Sequence, residues 1–276
     1  MKTLSEIDAG RKDLQRALIV AISAIIAIVG SFIGSGAVIG TPVQEASGGA
    51  LSAEATLIAP YGSAFSIWSV IYAGLLIYAV WQFLPKQRSH LRHRRMGYPA
   101  AASLLLNAAW ILSIQVDLLP LSVAVILALL AVLLWILVIM HDLPPVSRAD
   151  GIITDGSFGL YLGWISVATL ANVAAWTVAE GFGGFGLDPV YWGISAILAA
   201  VSVGVVIAVY GRGRLAPAVS LVWGICWIAV GRTMGEPQST PLAIVAVAGA
   251  VIIAAVTVAA RLKSKEKAMA GVTAGS

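Results

Sequence analysis

At 276 residues, 59% hydrophobic and 11% charged, with a mean hydropathy of +0.94, the chain is not an ordinary soluble domain, which carries about 25% charge. The net charge of +4 sits in short segments between apolar runs, where basic residues set membrane topology, so no nucleic-acid partner is expected. The lone cysteine, Cys226, lies inside an apolar run, which rules out a disulfide within the chain and a cysteine metal cluster.

The predicted fold is an all-α integral membrane protein with about eight transmembrane helices, and the lipid bilayer is its first partner. A polar segment, residues 1–16, precedes a first apolar run over Ala17–Ile39, long enough to span rather than to be a cleaved signal peptide. Gly30-x-x-x-Gly34 and Gly36-x-x-x-Gly40 mark a face open to close helix approach, within one bundle or in a dimer. A low-charge loop follows at 41–62, then a second span over Ser63–Leu84 and the basic loop KQRSHLRHRR at 86–95. The third span covers Tyr98–Val116. A tight turn at Asp117–Pro120 leads to the fourth, Leu121–Met140, and a charged loop over 141–155. The fifth span is Ser157–Trp176, followed by the glycine-rich EGFGGFGLD. Three more spans are expected at Pro189–Tyr210, Leu215–Val230 and Pro241–Ala260. The basic tail, 261–276, reads as disordered. His90, His93 and His141 all fall at membrane edges or in loops.

With eight spans and both termini on one side, the loops alternate, and sixteen of the seventeen basic residues share that side; only Arg232 falls opposite. Such asymmetry predicts cytoplasmic termini. No nucleotide-binding loop and no obvious inverted repeat of the secondary-transporter kind is visible. Acidic or basic residues within the spans are nearly absent, which lowers the expectation of a proton-coupled pump or an ion channel. No nucleophile–base pair or carboxylate pair is visible at membrane depth, so no enzymatic activity is expected.

The fifth span, SFGLYLGWISVATLANVAAW, carries Tyr161, Trp164, Asn172 and Trp176. Steps of three, eight and four place them near one helical face. A polar amide at bilayer depth is costly without a partner, so that face is expected to point into a helix bundle. On the second span, Trp68 and Tyr72 are one turn apart; on the third, Asn107 and Trp110 share a face. Aromatic residues near span ends more often form an interfacial belt, which accounts for Trp81, Trp135 and Trp192 and serves equally for Trp176. Asn107 and Asn172 are equally open to a role as interhelical glue. Trp223 and Trp227, one turn apart on the seventh span, form a second aromatic face suited to packing the last three helices.

The segments IAPYGSAFSIWSVIYAGLLIYAVWQ, LLNAAW and LYLGWISVATLANVAAW together resemble the TspO/MBR family of tryptophan-rich sensory proteins, related to the translocator protein. The family's proline pair before the second helix is matched by Pro60, with Ala59 in place of the first proline. Its W-x-x-x-Y pair is matched by Trp68 and Tyr72, and its third-helix N-x-x-W by Asn107 and Trp110. Its fifth-helix pattern is matched by Tyr161, Leu162, Trp164, Asn172 and Trp176. The proline expected before that tyrosine is Leu160 here. The resemblance covers residues 17–180 and implies a five-helix core, with 181–260 as three additional helices of a longer branch. The family's sterol-recognition motif is missing at the end of the fifth helix, and a matching pattern occurs only later, at Val206, Tyr210 and Arg212, so sterol binding is not carried over.

The resemblance further implies an integral protein of a bacterial cell membrane that forms homodimers. It implies an apolar planar ligand, a porphyrin or haem-like tetrapyrrole, bound by Pro60, Trp68, Tyr72, Asn107, Trp110, Tyr161, Trp164, Asn172 and Trp176, with a transport or signalling role. No other cofactor and no metal is implied. Flat conjugated molecules stack on aromatic faces, while a few amides orient them. A small-molecule permease and an intramembrane porphyrin-modifying enzyme are the rival readings.

Overall fold

The structure, a computed structural model, describes residues 4–34 and 40–273. Among these residues it is helical with no strand, and eight helical segments are long and apolar enough to cross a membrane. The chain is an all-α integral membrane protein. In order, the helices are α1 (Leu4–Gly34), α2 (Ile67–Trp81, entered through a 3-10 turn at Gly62–Ser66), α3 (Pro85–Arg88), α4 (Leu91–Gln115), α5 (Leu119–Asp142), α6 (Arg148–Asp150), α7 (Ser157–Ala179), α8 (Pro189–Tyr210), α9 (Leu215–Met234) and α10 (Thr240–Thr273). Between α6 and α7 a π-helical turn, Gly151–Gly156, keeps the chain helical from Arg148 onward.

Several boundaries differ from the sequence expectation, and charge explains most of them. The third span begins at Leu91, seven residues before Tyr98. The fifth begins at Arg148 within the expected 141–155 loop. Both extensions carry charges that a sequence reading assigns to water, yet Arg92 and Asp150 are paired and buried. Ser147 starts the fifth span as an N-cap, its Oγ accepting from the Asp150 N–H at 3.1 Å, the usual use of serine at that position. The polar N-terminus is helical from Leu4. The tail is not disordered over Arg261–Thr273 but continues α10, since Leu, Lys, Glu, Ala and Met there are good helix formers. The expected end of the first span, residues 35–39 with Gly36, lies outside the described residues.

The chain divides into two compact units. The first comprises residues 1–49 and 68–158, the second 50–67 and 159–276.

In the first unit α4 packs against both α1 and α5. Small residues permit this: a Cβ on Gly30 would lie 3.4 Å from Cβ of Ala108, so this glycine serves approach within the bundle. Gly97 leaves room for the Arg16 side chain to cross α4. Arg16, only 3% exposed, meets Asp13 at 2.9 Å and donates to Arg88 O at 2.7 Å. The turn into α5 has Asp117 at φ +58, and Pro120 stands in the first turn of α5, where its missing N–H costs nothing.

In the second unit α10 packs against α8 and α9 around Ile58, Val167, Ile197, Leu221, Ile225 and Leu242. Outward residues are apolar as well: Val206 is 64% and Ile244 63% exposed. Apolar surface on both sides of a helix is the mark of a lipid-facing wall.

Candidate functional site

The predicted site residues are distributed over both units. In the first, Trp68 and Tyr72 stack with ring centroids 5.1 Å apart and planes 21° from parallel, as their spacing on one helix predicts. Tyr72 Oη accepts from Asn107 Nδ2 at 2.6 Å. The amide of α4 and the aromatic pair of α2 are thus joined by a hydrogen bond between helices, and Asn107 is 1% exposed. Its Oδ1 is buried and accepts no hydrogen bond among the described residues. Trp110, one turn further along α4, is 7% exposed.

In the second unit Tyr161, Trp164 and Asn172 are buried on α7. Trp164 meets Phe65 edge-on, centroids 5.7 Å apart at 77°. Pro60 is buried in the segment that leads into the 3-10 turn. Trp176 is half-buried, and its Nε1 reaches no acceptor among the described residues.

Sequence reasoning missed the remainder of this aromatic group. Tyr61 stacks on Trp227, with centroids 6.1 Å apart and planes 12° from parallel. Trp227 packs edge-on against Trp223 at 5.6 Å. Two hydrogen bonds hold the segment to α9: the indole Nε1 of Trp223 donates to Ala64 O at 3.0 Å, and the backbone Tyr61 N to Trp227 O at 3.0 Å. Trp223 and Trp227 therefore clamp residues 61–65, the stretch between Pro60 and α2. Their spacing of four was visible in the sequence, but their partner was not.

A second feature escaped the sequence reading. His93, placed there at an edge or loop, is on α4 and fully buried beside Arg92 and Asp150. Arg92 Nη1 meets Asp150 Oδ2 at 2.6 Å, and its Nη2 meets Asp155. His93 Nε2 lies 3.1 Å from Gln87 Oε1 and 3.4 Å from Asp150 Oδ1. Thr154 Oγ1 donates to Asp150 Oδ1 at 2.8 Å, and Val146 N to its Oδ2 at 3.1 Å. Asp150 thus receives donors from several directions, which a buried carboxylate requires. The cluster lies at the head of the fifth span and reads as a fastener of the first unit. Among the described residues no group of three His, Cys, Asp or Glu side chains is placed to hold a metal ion.

Trp68 and Tyr72 lie on the second of the eight spans, Asn107 and Trp110 on the third, and Tyr161, Trp164, Asn172 and Trp176 on the fifth. A sequence profile described as TSPO-like protein matches residues 19–259. The chain belongs to the TSPO-like protein family. No curated protein and no solved structure matches it. The family match continues past residue 180, where the recognised motifs end, through α8, α9 and most of α10. The aromatic residues of α9 that grip Tyr61 and Ala64 accordingly belong to the TSPO-like region.

Proposed function

We propose that this TSPO-like protein binds an apolar, planar, conjugated ligand of the tetrapyrrole class on its inward aromatic surfaces and acts non-catalytically, in sensing or translocation. The observation that carries the reading is the buried Trp164, set edge-on to Phe65 on the span whose spacing matches the family motif. Trp68 and Tyr72, stacked and held by Asn107, supply a second flat surface. Aromatic pairs of this kind contribute about 0.5–1.5 kcal/mol beyond their buried area. A planar conjugated ligand gains from stacking on either face taken by itself.

The cavity among Ile58, Val167, Ile197 and Ile225 is about 10 Å³, room for roughly one water. It is not the ligand's place. The protein works in a bacterial cell membrane with both termini cytoplasmic. Arg232, the one basic residue opposed to that topology, supports it: it is 1% exposed and donates to Thr56 O and Ala53 O. It is a structural residue rather than a loop charge.

Titrating the purified protein with protoporphyrin should quench its tryptophan fluorescence saturably. Trp68→Ala and Trp164→Ala should each weaken binding; affinity unchanged in both would overturn these sites. A permease would instead show saturable uptake with countertransport in proteoliposomes. A porphyrin-modifying enzyme would show product formation on illumination.

A further inference from the structure

A groove of about 780 Å³ runs along the second unit where α8 ends, well within the volume range of ligand sites. Its apolar wall includes Val209 from α8 and Val256 and Ala259 from α10. Its basic end is formed by Arg212, Lys263 and Lys267. We infer that this groove is a binding site for one anionic phospholipid, its phosphate held by Arg212, Lys263 and Lys267 and an acyl chain lying along Val209, Val256 and Ala259.

The helix sequence sets this pattern. Residues 256, 260 and 264 form one row on α10, and 259, 263 and 267 the next, at the spacing of four that keeps side chains on one face. Along that face the surface changes from Val256, Ala259 and Ala260 to Lys263, Ser264 and Lys267. The change occurs over roughly 16 Å of helix. A phospholipid changes from hydrocarbon to phosphate in the same sense.

The turn after α8 brings the third cation in. Arg212 has φ +56 and Gly213 φ +70, a left-handed pair that an L residue such as Arg212 seldom adopts. Gly213 lies so close to the Arg261 backbone that a Cβ there would collide with it, so the turn is pressed onto α10. Lys263 and Lys267 are like charges at i,i+4, an arrangement that by itself destabilises a helix. A phosphate shared between them turns that repulsion into attraction. Basic pockets between transmembrane helices at the bilayer edge are suited to anionic head groups. A free phosphate would satisfy the cations but leave the apolar wall uncovered, which is why the occupant is a lipid.

The test uses the full chain, delipidated in detergent, with binding of phosphatidylglycerol followed by native mass spectrometry. Phosphatidylcholine and inorganic phosphate are the comparison ligands. Phosphatidylglycerol should bind as one tight equivalent. Lys263→Gln/Lys267→Gln should raise its dissociation constant at least about tenfold. The charge-matched control Lys86→Gln/Lys265→Gln should leave it within about twofold. Ala259→Trp, which fills the groove and keeps every charge, should also weaken lipid binding. Circular dichroism confirms the fold of each variant, and Lys263→Arg/Lys267→Arg should restore binding. Equal affinity for phosphatidylcholine, displacement of the lipid by inorganic phosphate, or an equal loss in the control pair would each overturn the site. So would undiminished binding in Ala259→Trp.

Discussion

Arg92 on α4 and Asp150 at the head of the fifth span are both fully buried, and Nη1 and Oδ2 meet at 2.6 Å. The pair is 58 residues apart in sequence and, within the first unit, fastens the start of α4 to residues 148–158. Removing one partner of a buried pair leaves an uncompensated charge and costs about 3–5 kcal/mol, whereas replacing both by apolar residues is far better tolerated. Asp150→Asn should therefore lower the thermal midpoint in detergent sharply, and Arg92→Met/Asp150→Leu should recover much of the loss. A double variant no more stable than the single one would show that the hydrogen bonds to Thr154 and Val146, rather than charge pairing, hold the junction.

That pair also shows where the sequence was legible and where it was not. Eight spans could be read from apolar runs alone, because the bilayer imposes length and apolarity on each one. The ends of the third and fifth spans could not. Arg92, Asp150 and Asp155 look like loop residues until their pairing is known, and pairing over 58 residues leaves no local signal. The stacking of Trp68 on Tyr72 was legible, being a matter of helical period. The clamp of Trp223 on Ala64 was not, the two being 159 positions apart in sequence. The tail misled for a different reason: Lys263, Lys265 and Lys267 resemble a solvated end, yet α10 continues through them.

Asn107 and Tyr72 join α4 to α2 by one hydrogen bond of 2.6 Å. Interhelical bonds of this type contribute about 0.6–2 kcal/mol within a membrane. Tyr72→Phe keeps the ring on Trp68 and removes the hydroxyl that accepts from Asn107 and also pairs with Ser31, so the Asn107 part of its cost should vanish in Asn107→Leu and the two variants should be non-additive. A double-mutant cycle on detergent stability should give a coupling in that range. A coupling near zero would show that Asn107 acts independently of Tyr72.

Gly163 on α7 faces Pro217 O and Ser220 Oγ of α9, and any Cβ there would collide with the carbonyl. Gly159, one turn earlier, stands in the same relation to Pro217, with a Cβ only 2.8 Å from its Cδ. Small residues four apart let two helices approach closely in a membrane. Gly163→Ala should force α7 and α9 apart and cost about 1–3 kcal/mol, the usual penalty of overpacking. Gly10→Ala on α1, where nothing lies within 4 Å of an added Cβ, is the matched control and should be neutral or slightly stabilising. Equal effects at the two positions would contradict the close packing of α7 on α9.

Arg232 uses one guanidinium to hold three carbonyls: Thr56 O at 3.1 Å, Ala53 O at 2.9 Å and Glu236 O at 3.3 Å. The planar fork is what spans them, and a lysine ammonium is a single point with different reach. Arg232→Lys should therefore loosen residues 53–56 although it keeps the charge, and Arg232→Met should loosen them more. Hydrogen exchange followed by mass spectrometry reads this locally, because amides of a released segment exchange through low-energy openings while helix interiors stay protected. Faster exchange confined to 50–60, with α9 unchanged in Arg232→Lys, is the expected pattern. Exchange across 50–60 that matches wild type in both variants would mean that the aromatic clamp of Trp223 and Trp227 alone secures this stretch.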